Sequence, residues 1–225
     1  MNISRLFLIV SIILILVFSS CAPSRLVRPL EKRQHVVNAE AGGPLFAYAG
    51  TTIPVPLTSF MYGYGITDNT SVFGSIHTTS LLFGILQTDI GACQRLYYND
   101  SLRLGISATP ALNLAQQIVF GNSFKCWPQV DVNIYWDIKP KKSFVYAGVE
   151  NWFELAGQRA EEQPQTTHWI YCPQVGYTYV RAKWNYNLEI KYIAPNIPNL
   201  PNVVSYLGIG GNGALAVYFS VTRKF

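Results

Sequence analysis

Residues 129–138, QVDVNIYWDI, alternate almost without a fault. Val130, Val132, Ile134, Trp136 and Ile138 fall on one side. Gln129, Asp131, Asn133 and Asp137 fall on the other, with Tyr135 among them. A period of two belongs to a β-strand. In a soluble sandwich the apolar side meets a core and the polar side meets water. In a membrane barrel the apolar side faces lipid and the polar side faces the lumen. This strand alone fits both, so the remaining chain has to decide.

The 225 residues suffice for one domain with extensions. Charged residues make up 13% of them, against roughly 25% in an ordinary soluble protein. Aromatic residues reach 14%, fourteen of them Tyr. A water-exposed surface of this size would carry more charge. No internal run approaches the ~18 apolar residues of a spanning helix. A membrane crossing would therefore fall to strands, because lipid admits only helices and closed barrels. The net charge of +5 does not point to nucleic acid. The basic residues are scattered among alternating aromatics, with no basic helix and no dense Lys/Arg block.

Residues 1–20 read as an export signal: Arg5 gives a positive start, and Leu6 to Phe18 form a mostly apolar run too short to span as a helix. Ser19 and Ser20 precede Cys21. A Cys directly after small residues resembles the lipobox of bacterial lipoproteins, although Phe18 stands where that family has Leu or another aliphatic residue. The resemblance implies removal of the signal and acylation of Cys21. Ordinary cleavage nearby, leaving a free thiol, is the alternative. Residues 21–43 are then expected to be a flexible tether, basic through Arg25, Arg28, Lys32 and Arg33. Cys93, Cys126 and Cys172 lie in no ligand spacing and read as packing residues.

From Pro44 to Phe225 the alternation recurs, with no helical stripe. Leu188, Ile190 and Tyr192 oppose Glu189 and Lys191, and Val217, Phe219 and Val221 oppose Ala216 and Ser220. The polar side carries Asn, Gln, Thr, Ser and Gly with sparse charges of both signs, which suits a narrow barrel interior better than a water-facing sheet. The apolar side carries Trp and Tyr near strand ends, like an interfacial girdle. Short polar turns at 67–70, 99–100, 139–142 and 181–184 alternate with longer connections at 116–124, 157–165 and 195–204.

The fold expected over 44–225 is an all-β, closed, antiparallel, up-and-down transmembrane barrel of about ten strands, eight being the alternative. A two-sheet lipoprotein domain is the alternative fold. Ten strands close at a radius of about 10 Å, so the lumen is largely filled by side chains. The terminal ALAVYFSVTRKF, ending in Phe225 with Phe219 in the same row, resembles the C-terminal signal of bacterial outer-membrane barrels. YGYGITDN, residues 62–69, resembles their strand-to-turn segments more loosely. That resemblance covers 44–225 as architecture and names no specific family. It implies assembly by the barrel machinery through the exposed edge strand.

The expected inward charges include His77, Asp89, Arg95, Arg103, Asp131, Asp137, Glu150, Glu154, His168, Glu189 and Lys191. Asp131 with Glu150, and Glu189 with Lys191, are expected in a salt-bridged lumen network joined by His168 and Arg103, because buried charges must be paired. No hydrolase signature surrounds His77 or His168, so no catalytic, cofactor or metal site is assigned. The expected product is a small outer-membrane barrel lipoprotein with a structural or interaction role in the envelope. A narrow channel for small polar solutes is the second expectation, and an outer-membrane hydrolase the third. Its expected partners are outer-membrane lipid, the barrel-assembly machinery and an envelope protein, not nucleic acid.

Overall fold

In a computed structural model describing residues 25–48, 50–119, 121–158, 164–199 and 205–225, the opening stretch resolves its own ambiguity. Trp136 is 55% exposed while its neighbour Tyr135 is 1% exposed. Gln129, Asp131, Asn133 and Asp137 are buried, and Val132, Ile134 and Ile138 are exposed. The polar row points inward and the apolar row outward.

Eleven strands build the molecule: β1 (His35–Tyr48), β2 (Thr51–Pro54), β3 (Leu57–Thr67), β4 (Thr70–His77), β5 (Ile85–Asn99), β6 (Leu104–Gln117), β7 (Phe124–Lys139), β8 (Ser143–Phe153), β9 (Trp169–Val180), β10 (Trp184–Pro198) and β11 (Asn212–Lys224). One short helix, α1 (Thr78–Leu82), lies between β4 and β5. Every pairing is antiparallel: β3 to β11 pair in chain order, and β1 pairs with β2, β3 and β11. The result is a closed ten-strand up-and-down barrel. The β2 strand folds back on the last residues of β1 as a rim hairpin.

The closing strand begins nine residues earlier than the sequence suggested. Val36, Asn38 and Glu40 are buried, whereas His35, Val37, Ala39 and Ala41 face outward. Small Ala residues on the outer face blur the contrast that marks the other strands, so the segment reads as a linker. Pairing overrides this weak pattern. Without β1, the edges of β3 and β11 would stay open, which lipid does not tolerate.

Turns at 68–69, 100–103, 140–142 and 181–183 share one mouth with both ends of the barrel sheet. The connections at 78–84, 118–123, 154–168 and 199–211 share the other mouth. The wall is tightened by a row crossing four strands, Gly105–Tyr135–Tyr146–Gly176, each residue opposite the next. The two buried tyrosine rings lie over the two glycines, in space that a Cβ would occupy.

Candidate functional site: a plugged, charged lumen

Residues 25–30, expected in a free tether, run inside the barrel, and 31–33 are exposed at its mouth. Backbone bonds from Arg33 N to Gly65 O (2.8 Å) and Gly65 N to Gln34 O (2.9 Å) fix the segment where it leaves β1. Farther in, it is held by side chains of the wall. Leu30 N donates to Ser71 Oγ (2.7 Å), Ser107 Oγ donates to the Val27 carbonyl, and Thr109 Oγ1 donates to the Leu26 carbonyl (3.0 Å). Leu30 packs with Val36, Met61 and Phe73, and Val27 with Tyr135, Phe144 and Tyr146. The segment therefore climbs from the turn mouth as an irregular peptide, bent at Val27 and Arg28, that meets inward-facing hydroxyls with its backbone.

Its tip is Arg25. The guanidinium places Nη2 3.3 Å from Asp89 Oδ1 and Nη1 3.5 Å from Asp131 Oδ1, with the side chain 4% exposed. Asp89 is held from the wall as well. Ser75 Oγ donates to it at 2.8 Å, His77 Nε2 lies at 2.8 Å, and Asn113 Nδ2 donates at 2.6 Å. Gln87 bonds Asn113, and Ser80 of α1 bonds Gln87, carrying the network towards the loop mouth.

Across the lumen, Lys191 Nζ lies 2.8 Å from Glu150 Oε2 and 3.4 Å from Glu189 Oε1. Tyr146 donates to Glu189 Oε2 at 2.7 Å, and Asn187 Nδ2 donates to Tyr146 Oη at 3.1 Å. Asp131 and Glu150 are cross-strand neighbours, so the two halves meet there. Four carboxylates, Arg25 and Lys191 form one septum, and attraction between buried opposite charges offsets much of their desolvation.

The alternation thus placed Asp131, Glu150, Glu189 and Lys191 on the inner face where they meet. His168 and Arg103 do not join them. His168 is exposed just before β9, with Nδ1 2.9 Å from the Glu154 carbonyl. Arg103 is exposed in the turn before β6 at φ 54°, and its carbonyl accepts Asp137 N. Arg25 is the lumen residue the sequence did not offer, since it lies in a segment with no strand pattern.

Ser75 and His77 both bond Asp89. No group of three His, Cys, Asp or Glu among the described residues could hold a metal. Cys93, Cys126 and Cys172 are free thiols, the first and last buried. Phe219 and Phe225 are exposed on and beyond β11, and Phe225 N donates to the His35 carbonyl at 2.9 Å. The export signal and Cys21 lie outside the described residues.

A second feature is a cavity of about 950 Å³ at the turn mouth, bounded on one side by residues 25–31. Arg28 lies in it, 3.0 Å from Asp137 and 4.2 Å over the Phe144 ring.

No family model and no curated protein matches the chain. Among solved structures, an outer membrane channel of Pseudomonas putida F1 superposes over 91% of this chain and 100% of its own, at 8% identity and TM-score 0.53. The translocator domain of the autotransporter NalP from Neisseria meningitidis covers 87% of this chain and 90% of its own, at 8% identity and TM-score 0.39. The N-terminal β-barrel domain of Pseudomonas aeruginosa OprF covers 87% and 100%, at 12% identity and TM-score 0.32. Closed ten-strand topology, an apolar exterior and a polar, ion-paired interior give this chain the fold of the small bacterial outer-membrane β-barrels.

Proposed function

We propose that the chain is a closed outer-membrane barrel with a structural or interaction role in the cell envelope, and not an enzyme. The turn mouth faces the periplasm and the longer connections face outward, as in other barrels of this kind. Assembly proceeds through the barrel machinery at β11 and Phe225, and an acyl chain on Cys21 is an anchor for the form in which residues 25–30 have left the lumen. The observation that supports closure is Arg25, seated between Asp89 and Asp131, with residues 26–30 occupying part of the lumen below it. The unacylated full chain (Cys21→Ser) in planar bilayers tests it, since no acyl group then pulls on the segment. The expected record is flat, and discrete conductance steps overturn closure.

A narrow channel is the second reading. It is favoured by the way the plug is held inside, through wall side chains rather than strand pairing. The fold neighbour from Pseudomonas putida is also a channel. Steps that appear once residues 25–33 are deleted would support it.

A further inference from the structure

The cavity at the turn mouth differs in charge from the septum above it. Arg28, Arg95, Lys141, Lys142, Arg181 and Lys224 line it, against Glu31, Asp68 and Asp137. One of these acids is already matched, Asp137 by Arg28. Lys141, Lys142 and Arg181 are exposed in the turns 140–142 and 181–183, so their charge is offered to whatever enters. A concave, low-dielectric wall bearing one sign of charge concentrates the opposite sign.

The lumen also demonstrates a way of holding a peptide. Residues 26–30 are bound without regular structure, bent at Val27 and Arg28, with Ser71, Ser107 and Thr109 meeting backbone N–H and C=O groups. The opposite side of the cavity is polar as well: Thr222 bonds Asn38, Thr178 bonds Asn187, and Asn185 keeps a buried Oδ1 without a partner. Its volume is within the roughly 300–1,000 Å³ of ordinary ligand sites.

We infer that this vestibule is the docking site for an acidic, extended peptide segment of a periplasmic partner, lying beside the chain's own basic plug. The inference rests on the interaction role proposed above and names its partner class. The partner's carboxylates pair with the turn cations, and a backbone N–H of the partner donates to Asn185 Oδ1. Specificity comes from charge, so binding weakens as salt rises past the point where the Debye length falls to about 8 Å.

The test uses the full chain in neutral detergent with fluorescent octapeptides of Glu, of Lys and of alternating Gly and Ser. The Glu peptide is expected to bind, and the other two not. Lys141→Glu combined with Lys142→Glu, and separately Arg181→Glu, should each weaken binding about tenfold or more. These sites are exposed turn positions, and heat-modifiable migration on gels reports that each variant is still a barrel. Three outcomes overturn the inference: equal binding of all three peptides, affinity for the Glu peptide unmoved by either reversal, or binding to phosphatidylglycerol vesicles without binding to the peptide. The last would assign the cations to headgroups. None of them bears on closure, which the bilayer record decides separately.

Discussion

Asp131 on β7 and Glu150 on β8 stand directly opposite each other in the barrel wall, two buried carboxylates whose cations come from elsewhere. Arg25 of the plug serves the first and Lys191 of β10 the second. The wall alone therefore carries an excess of negative charge at mid-height, and the plug corrects it. This couples occupation of the lumen to stability of the barrel.

Arg25→Ala should expose that coupling. Removing one partner of a buried pair strands the other, at a cost of about 3 kcal/mol. The midpoint of heat-modifiable migration should fall, and adding Asp131→Asn should recover much of the loss by removing the stranded charge. A midpoint that stays put in Arg25→Ala would mean the guanidinium is not seated.

The glycine row makes a packing prediction. Gly176 faces Tyr146, and a Cβ at 176 would overlap the phenol ring. Tyr146 cannot swing away freely, because its hydroxyl is bonded to Glu189. Gly176→Ala should cost about 1–3 kcal/mol, and the double variant Gly176→Ala, Tyr146→Phe should lose less beyond Tyr146→Phe alone. Urea unfolding in lipid vesicles measures both.

On the outer face, Ile134 is half exposed near the middle of β7. If that face meets acyl chains, Ile134→Arg costs about 2–4 kcal/mol in a bilayer. A change within a few tenths of a kcal/mol of the parent, measured by urea titration in vesicles, would mean water covers it instead.

The strands were legible because the contrast between neighbours is sharp: Trp136 beside Asp137, Ile190 beside Lys191. The same alternation carried Asp131, Glu150, Glu189 and Lys191 to the inner face, since parity fixes direction wherever the backbone stays extended. It failed one residue beyond the strands. His168 precedes Trp169, the start of β9, and Arg103 precedes Leu104, the start of β6. At those positions the chain is turning, and parity no longer says where a side chain points. The start of β1 escaped notice because its outer face is built from Ala39 and Ala41. Arg25 was beyond any local signal, since its partner Asp89 is 64 residues away and the plug has no period at all.

The last prediction concerns the reach of the chain. Leu26 and Val27 sit level with Thr109 and Ser107, well inside the start of β6 at Leu104. With strands tilted about 40°, Arg25 is then roughly 15 Å above the turn mouth. Cys21 is four residues upstream, at most ~14 Å of extended chain. An acyl group on Cys21 cannot return down the lumen, round the wall and enter the periplasmic leaflet while Arg25 keeps its seat. Anchoring there and plugging exclude each other. In spheroplasts treated with trypsin, the acylated chain should be cut after Arg25, which Leu26 follows, whereas Cys21→Ser, with nothing pulling on the segment, should resist there. Equal protection of the two forms would mean that the acyl group leaves the plug in place, and equal cutting would mean that the plug is never firmly held.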